Sequence, residues 1–218
     1  MSTSGLLVPV AEPGMTRLLR ADPLGSRQTL LLLVLSSALF GVVVGSHSLN
    51  PVQMLYAGLK LPVLLALSTA LCIPGVLAIS AVLGEARAGV QLGRHVLASQ
   101  AVVAVTMASL APALALVYLS TADYNSAKLA SASCMGLAAL VGHVDLRRRT
   151  RALRQTLVTI RTATRMWTLL YALVGIQLAW LLRPFVGNPG LPTTFFREDT
   201  WGNAYLHLLR LLGRVLGL

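Results

Sequence analysis

The amino-acid sequence predicts an all-α protein, a polytopic helical membrane bundle of about five transmembrane helices. Of its 218 residues, 56% are hydrophobic and only 11% are charged, and a bilayer is the solvent that suits such a composition. Five apolar stretches approach the roughly 20 residues needed to cross about 30 Å of hydrocarbon. Two further helices are expected beside the bundle, a basic helix on the cytoplasmic side and a C-terminal amphipathic helix at the outer interface.

The arginines lie on alternate sides of the five apolar stretches, and this pattern predicts the orientation. Short loops rich in Lys and Arg stay in the cytoplasm, whereas the predicted first and third loops contain no arginine. We therefore expect a multi-pass protein with a cytoplasmic tail over 1–27, a five-helix domain over 28–182, and an extracytoplasmic turn and amphipathic helix over 183–218. The arginines of the pattern are Arg17, Arg20, Arg27, Arg87, Arg94, Arg147, Arg148, Arg149, Arg151, Arg154, Arg161 and Arg165.

Small residues in two of the spans predict close helix packing. In span one, Ser37, Gly41 and Gly45 share a helix face at four-residue spacing, which favours contact with a neighbouring helix of the bundle over a homodimer contact. Span four is lined with alanine and glycine, so we expect it in the middle of the bundle. The expected bounds of the five spans are 28–46, 61–83, 96–119, 128–144 and 166–182.

The second apolar run, 52–83, is too long for one straight span. Pro62 and Pro74 interrupt this run, and proline in a helix interior removes a hydrogen bond and kinks the chain. The pattern predicts a start that lies on the membrane surface, followed by a kinked span from about residue 61. Lys60 would then lie near the outer headgroups, where its long side chain can reach water.

Two segments are expected to contact lipids or partner proteins. Residues 147–165 predict a helix with an arginine stripe, which we expect to lie against anionic lipids of the inner leaflet. Trp167 and Trp180 mark the inner and outer aromatic belts, Arg183 reaches headgroups or a neighbouring acid, and Pro184 ends the fifth span. The predicted contact residues are Arg147, Arg151, Arg154, Arg161, Trp180, Arg183, Pro184, Trp201 and Tyr205.

The sequence lacks the spacings of common catalytic and metal-binding motifs. It contains no HExxH pair, no GxSxG elbow and no phosphate-binding glycine loop, and it has seven carboxylates in total. We therefore expect no enzyme activity, no catalytic residue, no cofactor and no metal site. Nucleic acid is not an expected partner, because the basic residues adjoin apolar spans without interleaved aromatics. Gln177, deep in span five, is expected to hydrogen-bond to a neighbouring helix.

Two motifs resemble those of a group of uncharacterised bacterial polytopic membrane proteins. One is a K-x-P and L-C-x-P pair, here KLP from Lys60 and LCIP from Leu71, and the other is Q-x-x-W-x-L-R-P-F-x-G, here QLAWLLRPFVG from Gln177. The five-span plan is similar in turn to the Yip family, small membrane proteins associated with vesicle traffic and membrane organisation. The likeness to Yip proteins is one of topology, because the tail before span one carries no Yip cytoplasmic motif. The resemblance implies a bacterial inner membrane location.

These observations favour a non-enzymatic role, as a structural, assembly or accessory subunit of a bacterial inner-membrane complex. Anionic lipids and other membrane subunits are the expected partners. A small transporter or channel subunit is the alternative, and a membrane-embedded enzyme comes third. A transporter predicts a hydrated cavity at the membrane midplane, lined by Gln177 or by the segments around the prolines. A structural subunit predicts a filled bundle core.

Overall fold

The computed structural model describes residues 26–121, 123–151, 158–187 and 193–196, and within these ranges the chain is all-α. By length and composition, five helices are able to cross a membrane, which confirms the predicted fold class. Most of the predicted N-terminal tail and the predicted C-terminal amphipathic helix lie outside the described residues. The helices are α1 (Ser26–Gly45), α2 (Pro51–Val82), α3 (Ala86–Ser120), α4 (Tyr124–Arg149) and α5 (Val158–Leu182), with a 3-10 turn at Ser46–Ser48 after α1.

The helix α2 is one continuous element of 32 residues, so the prediction of a separate surface-lying start is wrong. Its length is about 48 Å at roughly 1.5 Å per residue, more than the hydrocarbon core requires, and tilt accommodates such an excess. Pro62 and Pro74 lie inside the helix. Membrane helices tolerate internal proline because neighbouring helices and local adjustments satisfy the freed backbone groups.

Side-chain caps fix where α2 and α4 begin. The Asn50 side chain accepts a hydrogen bond from the backbone nitrogen of Val52 at 2.9 Å, and Pro51 occupies the first helical turn, where its missing N–H needs no partner. The Asp123 carboxylate accepts from both the backbone nitrogen and the hydroxyl of Ser126, each at 2.7 Å. Both caps belong to the arginine-free loops. We call this end of the bundle the clamp end, after a contact of Lys60 that lies there, and the opposite end the arginine end.

The helices α1 and α2 pack closely because two glycines of α1 face the α2 backbone. A methyl group added at Gly41 would collide with the carbonyl oxygen of Ala57, and one added at Gly45 would lie 2.7 Å from the carbonyl oxygen of Gln53. Ser37, on the same α1 face, is fully buried and donates to the Leu33 carbonyl at 2.6 Å. The predicted small-residue face of span one therefore lies within the bundle, against its neighbours.

The order of packing places α4 and α5 at the edges of the bundle. The helix α1 packs against α2 and α3, α4 packs mainly on α3, and α5 packs mainly on α2. The expectation that span four occupies the middle is therefore wrong. Small residues allow close approach but do not determine how many neighbours a helix has: Gly142 fits against Val103 and Ser99 of α3, whereas Gly136 faces open space. A cleft separates α4 from α5.

The predicted basic helix over 147–165 is divided between two spans. The helix α4 continues to Arg149 and ends at Thr150, while Arg161 and Arg165 lie in the first turns of α5. Residues 152–157 lie outside the described part of the chain. Within the described residues, therefore, the arginines on either side of this gap belong to helices that also contain the apolar spans.

Candidate functional site

Lys60 is the most deeply buried cation among the described residues, with none of its side chain exposed. Its ammonium donates to the carbonyl oxygen of Pro184 at 2.9 Å. Gln53, two helical turns earlier on the same face of α2, donates through Nε2 to the carbonyl of Phe185 at 2.8 Å and to that of Pro184 at 3.3 Å. The Lys60 side chain therefore pairs inside the protein and does not reach water, which corrects that part of the prediction. We call Lys60, Gln53, Pro184 and Phe185 the lysine clamp.

Two aromatic rings surround the Lys60 ammonium. It lies 4.8 Å from the ring centroid of Phe195 and 6.0 Å from that of Tyr56, and these rings meet edge to face with centroids 5.1 Å apart. Ring faces carry partial negative charge, so they stabilise a cation that has left water. The charge is thus held by one carbonyl oxygen and two rings, and this combination explains how a lysine is accommodated inside the protein.

The segment 183–187 is shaped by contacts on both sides. The Arg183 guanidinium carbon lies 3.2 Å from the ring centroid of Trp180, so the cation stacks on the last turns of α5. A methyl group at Gly187 would lie 2.9 Å from the Gln53 side chain and collide with Ser48, so only glycine fits there without rearrangement. Lys60 of the first motif and the RPF stretch of the second motif therefore meet at one end of the bundle.

At the arginine end, the predicted lipid-contact residues are accessible where the structure describes them. Arg147, Arg151 and Arg161 are exposed. Arg149 is held differently, because its Nε donates to the Asp145 carboxylate at 2.6 Å. The remaining predicted contact residues, Arg154, Trp201 and Tyr205, lie outside the described part of the chain.

The cleft between α4 and α5 encloses a cavity of about 450 Å³, with α2 and α3 as its floor. Mid-helix lining residues such as Leu140 and Ile176 are 64% and 48% exposed, so the cleft opens sideways, toward where lipid would lie. Gln177, half-buried on α5, is not among its lining residues, nor are the helix prolines. Its polar side chains are Ser68, Ser99, Gln100, His143, Thr168 and Tyr171.

Hydrogen bonds account for some of the cleft's polar atoms and leave others unsatisfied. The Tyr171 hydroxyl donates to Oε1 of Gln100 at 2.9 Å, and the Thr168 hydroxyl lies at hydrogen-bond distance, 3.3 Å, from Nδ1 of His143. The Ser68 hydroxyl has no hydrogen-bond partner among the described residues, although only 1% of that residue is exposed. A buried donor without a partner is uncommon, which makes this position a candidate contact for a ligand.

Trp167 belongs to the cleft and not to the inner aromatic belt that the sequence predicts. The residue is only 3% exposed, and its ring stacks on that of Tyr171 with centroids 5.3 Å apart and planes inclined by 28°. The reason is that α5 begins well before Trp167, so the indole lies further along the helix, inside the bundle and away from the arginine end. Sequence periodicity indicates an interfacial tryptophan only when the end of the helix is known.

Comparison of the chain with protein-family models, with curated proteins and with solved structures finds no match. The resemblance to the bacterial group and to Yip proteins therefore stays a prediction from motifs and topology. Within the described residues, no group of three or more His, Cys, Asp or Glu side chains could hold a metal ion. Cys72 and Cys134 are free thiols in α2 and α4.

Proposed function

We propose that this chain is a non-enzymatic accessory or assembly subunit of a membrane complex in a bacterial inner membrane. The observation that carries the proposal is the lysine clamp. Its buried cation donates to the backbone of Pro184 and so holds a chain segment at the clamp end. Because residues 183–187 are already held in one conformation, a partner that binds them incurs a smaller loss of conformational entropy. A preorganised surface of this kind suits recognition by another subunit.

The distribution of charge supports an orientation with the N-terminus in the cytoplasm. Basic side chains of described residues concentrate at one end of the bundle, and lysine- and arginine-rich short loops remain cytoplasmic. The clamp end would then face the periplasm. The described arginines at the arginine end are Arg27, Arg87, Arg94, Arg147, Arg148, Arg149, Arg151, Arg161 and Arg165.

Exposed apolar side chains at the clamp end support contact with another membrane subunit. Leu49 and Leu119, at the ends of the arginine-free loops, are each 85% exposed, and Phe196 is 50% exposed. The Asn50 side chain donates to the Thr193 hydroxyl at 2.9 Å, which holds the segment of Phe196 beside the first loop. An apolar surface that adjoins polar groups is typical of protein interaction sites.

The experiment is co-purification of tagged full-length protein in mild detergent, comparing Arg183→Ala and Leu49→Asn with wild type. Leu49 has a φ of 52°, a left-handed conformation in which asparagine is favoured over leucine. Leu49→Asn should therefore remove an exposed apolar group without loss of stability. We expect both variants to insert at wild-type abundance and to lose a co-purifying membrane protein.

Lys128→Ala is the matched control, because Lys128 is an exposed cation of the same end that also lies over a ring, 4.6 Å from the centroid of Tyr124. It is on α4, away from the clamp, and should keep the partner. If Arg183→Ala and Leu49→Asn retain every co-purifying protein, or if Arg183→Ala disappears from the membrane, the proposed subunit role of this surface is wrong.

A small transporter subunit is the second candidate function, and the cavity is the described feature that would have to serve as its pathway. A transport pathway requires water in the cavity, so a cysteine placed at Ser68 in a background of Cys72→Ala and Cys134→Ala would react with a membrane-impermeant thiol reagent. An accessory subunit with a lipid-facing cleft predicts protection of the same thiol. The predominantly apolar lining of the cleft favours protection of the thiol, and hence the accessory subunit.

A further inference from the structure

We propose that the cleft between α4 and α5 binds a planar lipophilic molecule with ring carbonyl groups, of the quinone class, which enters from the bilayer. The cavity of about 450 Å³ is within the range of about 300–1,000 Å³ typical of small-molecule sites. A partner helix, about 10 Å wide and 30 Å long across the hydrocarbon, is several times larger. This proposal does not depend on the subunit role, because the cleft and the lysine clamp are separate.

Two donors in the cleft make no hydrogen bond to the described part of the chain. Ser68 offers a hydroxyl with no partner among the described residues, and Gln100, whose Oε1 accepts from Tyr171, retains its amide N–H groups. The hydroxyls of Ser99 and Thr168 already donate to the helix carbonyls of Val96 and Thr164, at 2.8 and 2.9 Å. The remaining hydroxyl oxygens can accept, but the Gln100 amide nitrogen can only donate, so a ligand that pairs with it and with the Ser68 O–H presents acceptors, and carbonyl oxygens on a ring meet that requirement.

Aromatic and methionine side chains on different sides of the cleft suit a flat ring. The stacked rings of Trp167 and Tyr171 line the cleft on the α5 side, Met107 lines its floor from α3, and Met135 lines the α4 side. Aromatic rings favour offset or edge contacts with other rings, and methionine sulfur contacts aromatic edges and faces. A planar ligand between these side chains would bury its ring while its tail extends through the lateral opening.

The depth of the donors favours a ring over the ester group of a glycerolipid. Ser68 and Tyr171 lie near the middle of α2 and α5, and Gln100 lies in the first half of the long α3. Glycerolipid carbonyls lie at the interface, beyond about 15 Å from the bilayer centre. A quinone with an apolar tail dissolves in the hydrocarbon itself, so its carbonyls are available at this depth.

The test is a titration of full-length protein in neutral-lipid nanodiscs with decylubiquinone, followed by tryptophan fluorescence. Quinones quench indole emission, and a Trp167→Phe variant identifies the share that comes from the cleft. We expect saturable quenching in wild type, and roughly five- to tenfold weaker binding for Ser68→Ala and for Gln100→Leu, as expected for loss of one hydrogen bond. Circular dichroism and thermal unfolding establish that each variant is folded.

Gly175→Leu and Gly93→Leu form a matched pair of cavity probes. A side chain added at Gly175, a lining residue of the cleft, meets only the Ser68 hydroxyl, at 3.9 Å, whereas Gly93 faces open space elsewhere on α3. Both exchanges raise helix propensity. We expect Gly175→Leu to abolish saturable quenching and Gly93→Leu to leave it unchanged.

Three results would overturn the proposal. The first is quenching that does not saturate, or that is the same in wild type, Gly175→Leu, Ser68→Ala and Gln100→Leu. The second is equal displacement of decylubiquinone by decane or monoolein, which would identify the cleft as a groove for acyl chains. The third is crosslinking of a photoreactive group at Ala139 to another protein in membranes, which would identify a partner helix as the occupant.

Discussion

The ammonium of Lys60 and the carbonyl oxygen of Pro184 are 2.9 Å apart, although 124 residues separate them in the sequence. This contact joins the first third of α2 to the chain that leaves α5. It brings Lys60 of the first motif to Pro184 of the second, and it holds inside the protein a side chain that strongly prefers water. The cost of burying the charge is offset by the carbonyl and by the rings of Tyr56 and Phe195.

Replacing Lys60 by methionine should destabilise the protein. Methionine keeps an unbranched apolar stem but removes the donor, which leaves the Pro184 carbonyl with only the longer bond from Gln53. We expect a loss of about 1–2 kcal/mol in the free energy of unfolding, because a partly unsatisfied carbonyl is costly when buried. Thermal unfolding in detergent measures the effect, with Lys128→Met, at an exposed position, as the control. An equal or higher melting temperature for Lys60→Met would mean that desolvation outweighs these contacts.

Glycines of this chain should respond differently to alanine according to what lies beside them. Gly41→Ala places a methyl group against the Ala57 carbonyl, whereas Gly136→Ala adds one where there is open space. We expect Gly41→Ala to lose about 1–3 kcal/mol through overpacking and Gly136→Ala to be neutral or to gain up to about 1 kcal/mol from helix propensity. Thermal unfolding of the two variants side by side checks this. Equal melting temperatures would show that α1 and α2 separate readily.

Hydropathy and arginine placement were sufficient to predict the fold class and the number of spans. These two properties depend on whether each short stretch of sequence is more stable in lipid or in water, which the stretch itself determines. The Lys60 contact was not predictable in the same way. The rule that lysine extends toward water gives the opposite answer, and periodicity within one helix contains no information about a partner 124 residues away.

The cleft was missed for a related reason. Ser68, Gln100 and Tyr171 are visible in the sequence as polar groups within apolar spans, yet only the packing of α2, α3 and α5 brings them to one cavity. Small residues predicted close approach correctly for Gly41 and Gly45, where the facing helix follows in sequence. For span four the same signal gave the wrong place in the bundle, because the order of non-consecutive helices is not encoded locally.

The start of α4 should lose stability in acid through Asp123. Hydrogen bonds from the hydroxyl and the backbone N–H of Ser126 hold the pKa of this exposed carboxyl below its usual value of 3.8. The folded form therefore favours the ionised carboxylate. Its contribution is fully present above about pH 3.8 and is lost as the pH falls through the lower pKa of the folded state. Asp123→Asn keeps a capping oxygen but does not titrate, so its melting temperature should vary less than that of wild type below pH 4. Parallel acid profiles would exclude this role.

Reporter fusions test the proposed orientation. A reporter that works only outside the cytoplasm should be active when fused after Leu218. A reporter that works only in the cytoplasm should be active when inserted near Thr156, since the arginine end is proposed to be cytoplasmic. The opposite result at either position would contradict the topology. It would also place the lysine clamp on the cytoplasmic side and change the compartment of any partner it contacts.

The exposed arginines of the arginine end should bind acidic lipids. Arg151 and Arg161 are exposed and Arg149 is paired with Asp145, so these positions should contribute unequally. We expect the triple variant Arg151→Gln, Arg154→Gln and Arg161→Gln to bind acidic vesicles more weakly, at about 1 kcal/mol per arginine near the surface. Arg149→Gln should change binding less, because its charge is already partly neutralised. The remaining arginines preserve the orientation, so insertion should be unchanged. Unaltered vesicle binding by the triple variant would restrict these arginines to a role in membrane insertion.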